Sequence, residues 1–317
     1  MKHTMLEKIN EYIRYKNKLG IELSHEVYVL RSFGNFMDSH YPDQALTIER
    51  ANEWVLASKK KSRITYAKKM GTIRPFSKYL AIEDTRTEFI PYGIYGTTKT
   101  RANPYIYSNS EITRLLTVDP YKEPHSLRLL TLRTIIGLLV CTGMRVGEVL
   151  ALKRQHINRQ EQTISIYNSK RKSLRVIPIG ITVVNKLNKY ESERNKKYAD
   201  SQNESFFLSP SRSDKTYPYK QLQYIWTDLL ARAEVGQDKD NKPRIHDLRH
   251  TFACNQIISA YKKKVDIDVT LYRLSTYMGH THLDDTYWYL SAVPALLKIC
   301  SERFENQFDR NNKEYDK

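Results

Sequence analysis

The chain has 317 residues and carries 52 Lys plus Arg against 35 Asp plus Glu, a net charge of +17. At 40% hydrophobic residues it is long enough for two globular domains and is not a disordered tail. Its charge calls for a polyanionic partner, nucleic acid ahead of an acidic membrane face. The longest apolar run, Ile135 to Cys141, is too short to cross a bilayer, and MKHTMLEKINEY lacks a signal peptide's apolar core.

Residues 5–80 are expected to be helical throughout. Leu6, Ile9, Tyr12 and Ile13 form one stripe that Gly20 can stop. Ser24 is placed to cap a second helix bearing Val27, Leu30, Phe33 and Phe36, and Thr47 a third bearing Ile48, Ala51, Trp54 and Val55. A fourth runs from Ser62 to Leu80 with Pro75 as a candidate kink. Its approach is basic: Lys59, Lys60, Lys61, Arg63, Lys68 and Lys69, with Tyr66 among them. Such a run is either a solvated face or a set of phosphate contacts. From 83 to 104 the periodicity disappears among Pro91, Gly93, Gly96 and Arg101, which reads as an extended basic linker. The expected organisation is therefore a helical domain over 1–82, a linker over 83–104 and a second domain over 105–317.

In that second domain Ser108-x-x-Glu111 is a capping box, and Leu127 to Cys141 is apolar on most faces, as a central core helix would be. Gly143 can end it, and a short helix from Val146 to Leu152 follows. Residues 162–179 alternate as two strands around the basic tip NSKRKSL, a β-hairpin. Helices return over 183–194, 219–233, 246–260 and 268–278, with a last one after Pro294. The fold class is mainly α with a small β-sheet (α+β).

Four polar groups carry chemistry. Arg145 in TGMRVGE lies three residues before Glu148, which can brace its guanidinium or form an ordinary surface salt bridge. The hairpin tip holds Lys170, Arg171, Lys172 and Arg175, which can enter a nucleic-acid groove or simply solvate a turn. His246 and Arg249 in HDLRHTF share one helical face and can address one ligand, or the histidine is simply a satisfied, half-buried residue of an ordinary helix, with Leu248, Phe252 and Ala253 turned to the core. Gly279-His280 precedes Tyr289 by nine residues, about 900° of helix, so the two meet only if the chain turns at Gly279.

Taken in order, TGMRVGE, HDLRHTFA and Gly279-His280 followed by Tyr289 resemble the tyrosine recombinase (phage integrase) family over roughly 105–300. The resemblance implies a helical N-terminal core-binding domain that clamps DNA and an integrase-type catalytic domain. It implies site-specific cutting and rejoining of double-stranded DNA by transesterification through a 3′-phosphotyrosine, with no metal, cofactor or nucleotide. Tyr289 would be the nucleophile, Arg145 and Arg249 the phosphate clamp, His246 the base and His280 a phosphate or tyrosine partner. Glu148 and His250 would be supports. The hairpin acid is Lys170 or Lys172; Lys170 lies five residues before Arg175-Val-Ile-Pro, where the family's lysine falls, although the glycines usual around it are missing. Lys59, Lys60, Lys61, Arg63, Lys68, Lys69, Arg171 and Lys172 would bind DNA. The implied assembly is a cytoplasmic, nucleoid-associated homotetramer on DNA, open to other recombinases or accessory DNA-binding proteins; PALLKICSERF can form an amphipathic helix that is expected to dock on a neighbour, and the basic linker and unusual hairpin tip favour a mobile element as the biological setting. A type IB topoisomerase-like relaxase and a catalytically silent DNA-binding accessory protein are the rival readings.

Overall fold

The computed structural model describes residues 4–59, 62–96, 103–121, 126–168, 173–199, 201–212, 214–236, 242–280 and 282–292. Lys60, Lys61, Lys170, Arg171, Lys172 and the segment after Pro294 lie outside these. The chain divides into two compact units, Met1–Ala102 and Asn103–Lys317.

The first unit packs α1 (Met5–Lys18), α2 (His25–His40), α3 (Ile48–Leu56) and α4 (Arg63–Glu83). A Thr4/Glu7 capping box starts α1, and the Asp38 carboxylate of α2 accepts from the Met5 and Leu6 amides at 2.7 and 3.0 Å. Orphan donors of the first turn are thus satisfied from a neighbouring helix. Thr47 caps α3 and Ser62 caps α4, but Ser24 does not cap α2. Its backbone (φ −99, ψ −82) is not extended as a capping residue's should be, and its amide donates to Glu26 instead. Helix α4 continues through Pro75 in one piece. Ile9, Leu30, Phe33, Met37, Trp54, Ile73 and Phe76 build the core.

The segment following α4 is pinned to this bundle as far as residue 96. Ile90 is fully buried, its amide donates to Ser77, and Arg74 binds the carbonyls of Ile90 and Pro91 while stacking on Tyr92. Arg63 donates to the Tyr95 carbonyl.

Among the described residues the second unit contains α5 (Asn109–Thr117), α6 (Leu127–Thr142), α7 (Val146–Leu150), a three-stranded antiparallel sheet and five further α-helices. The Ser108/Glu111 capping box starts α5. Helix α6 is buried on nearly every side, through Leu129, Leu132, Ile135, Ile136, Leu138 and Leu139. Full burial of such side chains contributes roughly 1.5–3 kcal/mol each, which makes α6 the axis of the unit. The sheet pairs β1 (Ile157–Asn158) with β2 (Thr163–Asn168) and β2 with β3 (Ser173–Pro178). Register sets Ile164 opposite Ile177 and Ile166 opposite Arg175, so these four residues share the inward face. Then come α8 (Ile181–Lys197), α9 (Tyr219–Arg232), α10 (Asp247–Lys262), α11 (Ile267–Met278) and α12 (Asp284–Ala292). The protein is mainly helical with one small sheet.

Candidate active site

Two left-handed turns organise the site. Helix α6 ends at Gly143 (φ +60) and α11 at Gly279 (φ +64). A side chain at this φ is strained, and each glycine is also crowded. A Cβ at Gly143 would stand 2.4 Å from the Phe252 ring, and one at Gly279 would stand 2.8 Å from Arg175 Nη1. Both turns expose carbonyls that the helices no longer use.

The two arginines take those carbonyls. Arg249, on the first turn of α10, is 3% exposed. Its Nη1 donates to Gly143 O and its Nη2 to Met278 O, both at 2.7 Å, so one guanidinium ties the two turns together. Burial and then the Arg145 charge push its pKa down to about 10, and it stays protonated at neutral pH. Arg145 precedes α7, with Nη2 donating to Gly279 O at 3.1 Å. Glu148 reaches back to the Arg145 amide at 2.8 Å and accepts from its Nη1 at 3.0 Å.

Glu148 also accepts two bonds from Arg175 of β3, Nη1 at 3.0 Å and Nη2 at 2.6 Å. Burial alone would raise the Glu148 pKa, but the Arg175 and Arg145 contacts outweigh it and hold the carboxyl below the usual range. This corrects the expectation that Arg175 belongs to the hairpin tip as a groove-entering or solvated group: it lies on β3 and turns inward onto Glu148. The signal that assigns it inward is strand alternation, because Ile177 two residues on is buried.

The turn at Gly279 brings His280 and Tyr289 together. Their rings lie nearly parallel (23°), with centroids 6.4 Å apart. The His280 Nδ1 contacts the Thr286 hydroxyl at 2.7 Å, and Thr286 is fully buried. No sequence signal pointed to Thr286, since its role depends on the α11–α12 turn. Tyr289 is 2% exposed. Its hydroxyl contacts His250 Nδ1 at 2.9 Å.

His250, expected as a support, is thus the residue on the phenol. Trp288 packs beside it, and His246 meets its ring edge-on at 4.8 Å. Burial, then the charges of His246, Arg244 and Arg249, push the His250 pKa down to about 3, so the ring is neutral. His246 stands just ahead of α10. It is solvent-accessible as a whole residue, yet partial desolvation of its ring, and then the Arg249 charge, lower its pKa as well. Arg244 and the buried Asp247 fix this entry to α10 by a two-pronged ion pair.

Of the basic positions in the first unit, Lys59, Arg63 and Lys68 are at the surface. Lys69 is half-buried instead, with Nζ 4.3 Å from the Trp54 ring centroid and 2.7 Å from the Ser58 hydroxyl, and burial lowers its pKa. Among the described residues no group of three or more His, Cys, Asp or Glu could hold a metal ion, and no helix is long and apolar enough to cross a membrane.

The model of the phage integrase family matches residues 107–294, more than half of the chain. The chain belongs to the phage integrase family. It is a tyrosine recombinase, an enzyme of site-specific DNA recombination. It is 30% identical over 300 residues to the candidate integrase/recombinase y4rE of Sinorhizobium fredii, covering 94% of each chain. It is 26% identical over 289 residues to the tyrosine recombinase XerC of Bacillus pumilus, covering 89% of this chain and 83% of that one. The XerH site-specific recombinase, solved bound to its palindromic substrate, shares the fold of the recombinase with a TM-score of 0.64 at 17% identity, over 96% of this chain and 98% of that one.

Proposed function

We propose that this recombinase cleaves one DNA strand with Tyr289 and holds the product as a 3′-phosphotyrosine. The observation that carries the reading is the convergence of Arg145, Arg249, His280 and Tyr289 on the single turn at Gly279. In the reaction the Tyr289 oxygen bonds to phosphorus and the bond from phosphorus to the 5′ oxygen breaks. The phenolic proton passes to His246, and the departing 5′ oxygen takes one from Lys170. Arg145 and Arg249 are permanently charged forks that match the non-bridging oxygens, where negative charge grows. They supply electrostatic stabilisation of the kind that a metal ion gives a nuclease. His280 adds a hydrogen bond to the phosphate.

Tyr289 begins buried and bonded to His250, so its hydroxyl must exchange that partner for the phosphate. The phosphotyrosine retains the energy of the broken linkage, and rejoining needs no nucleotide. The first unit acts as a DNA clamp with Lys59, Arg63 and Lys68 toward phosphates, and the working assembly is a homotetramer on two duplexes. A mobile element is the favoured setting, supported by near-full-length similarity to candidate integrases. Inverted repeats around a short spacer beside the coding sequence are expected, and their absence would count against that setting.

The test of the chemistry uses a duplex carrying the site selected from a random-sequence library by binding to the wild-type chain, nicked so that cleavage releases a short strand and traps the adduct. Wild type should accumulate covalent protein–DNA complex and Tyr289→Phe none. An adduct of equal yield from Tyr289→Phe would sink the assignment.

A further inference from the structure

We infer that Arg175 is a positioning residue for catalysis, which holds Arg145 in place against the scissile phosphate by clamping the Glu148 carboxylate that both arginines share. The inference rests on the assignment of Arg145 to that phosphate. Glu148 is the hinge of the arrangement. One oxygen accepts from Arg145 Nη1 and Arg175 Nη1, both at 3.0 Å; the other accepts from the Arg145 amide at 2.8 Å and Arg175 Nη2 at 2.6 Å. A carboxylate bound to Arg145 alone would swing with it on a helix of five residues. The second fork removes that freedom, because it comes from a strand whose register is set by five other cross-strand pairs.

Burial and steric fit agree. The Arg175 and Glu148 side chains are 17% and 16% exposed, whereas Arg145 remains 38% exposed and open to a ligand. Arg175 also fills the space beside Gly279 where a Cβ would stand, and the carbonyl of that glycine takes the other Nη of Arg145. Its Nε is buried without a hydrogen bond among the described residues, so its hold on the site runs through the two Nη bonds to Glu148. The sheet is thereby keyed to the catalytic arginine, and the strand leaving the hairpin tip sets the geometry of the clamp. A half-buried fork of this kind is not replaceable by lysine, which keeps the charge but cannot make two parallel bonds.

The experiment measures single-turnover adduct formation by the full chain on the nicked selected duplex, for Arg175→Ala and Arg175→Lys, together with DNA affinity and thermal melting. A displacement of about 1 Å at a catalytic group can cost on the order of 100-fold in rate. Arg175→Ala should therefore lose about 100-fold and Arg175→Lys about tenfold, with affinity within about twofold of wild type. The same variants are then assayed on a duplex whose scissile phosphate is a methylphosphonate. That group has lost the charge Arg145 neutralises, so the deficit should shrink to within about threefold. A purely structural defect would lower the rate equally on both duplexes, and that result, or no loss on the phosphate, would overturn the inference. If Arg175→Ala does not fold, a normally melting Arg175→Lys variant carries the test. Failure of the site assignment is separable: it shows as an adduct from Tyr289→Phe, whereas loss of adduct in Tyr289→Phe with full activity in both Arg175 variants removes this inference alone.

Discussion

At the scale of single residues, two histidines four positions apart divide their work according to surroundings that no local pattern describes. His246 and His250 both lie in HDLRHTF, and the family resemblance gives the role of base to His246 and that of support to His250. The fold turns His250 to the Tyr289 hydroxyl and keeps it neutral, with a pKa of about 3 against an ordinary 6.5. This has a consequence for stability. As pH falls below 6.5 the unfolded chain gains a proton at this histidine before the folded chain does. Stability contributed by the neutral ring is therefore full above about 6.5 and is lost as pH falls toward 3. His250→Asn should show a shallower fall in Tm between neutral pH and pH ~4 than wild type. Identical slopes would mean that His250 is not held neutral. Arg175 makes the complementary point: expected at the hairpin tip, it turns inward with Ile177 two residues on, and the fold sets its partner Glu148.

At the scale of elements, glycine C-caps at α6 and α11 do more than end helices. They present the carbonyls that receive both arginines. Their positions could be read in TGMRVGE and MGHTHLDD, because glycine is the residue that enters the left-handed region at low cost. Adding a Cβ at φ near +60 costs roughly 1–2 kcal/mol even before steric contacts. Gly143→Ala must also displace the Phe252 ring from a 2.4 Å approach, so its Tm should drop by more than that of Gly279→Ala. Gly279→Ala should instead show the larger loss of adduct formation, since it presses on Arg175 and shifts the carbonyl that Arg145 uses. Thermal melts and adduct rates on both variants check the pair. Ser24 shows where such local reading stops, because a good capping residue does not cap if its backbone is not extended.

At the scale of the molecule, a net charge of +17 predicts DNA binding dominated by counterion release. For about six phosphate contacts, affinity should fall roughly 1,000-fold between ~50 and ~200 mM salt. Lys59→Glu and Lys68→Glu should each flatten the log–log salt slope by about one, and Lys69→Gln should instead lower Tm, because Lys69 is engaged with Trp54 and Ser58. Filter binding across a salt series and thermal melts separate these outcomes. Deleting the chain beyond Leu290 tests the proposed role of the C-terminal segment: DNA binding should persist while tetramer assembly on DNA is lost, as read by sedimentation of the complex. Unchanged assembly would remove that role.

The sequence by itself determined the helical class, the central position of α6, the hairpin and the ordered set of polar residues that mark a tyrosine recombinase. These are legible because apolar periodicity, caps and turn residues act over a few positions. The tertiary structure alone decided the partners: His250 on the phenol, Thr286 on His280, Arg175 on Glu148, and one guanidinium across two turns. Arg145 meets Gly279 across 134 positions of chain, and Arg249 meets Gly143 across 106. A hydrogen bond depends on atoms placed to within a few tenths of an ångström, and over such separations that placement is set by the packing of the whole core around α6.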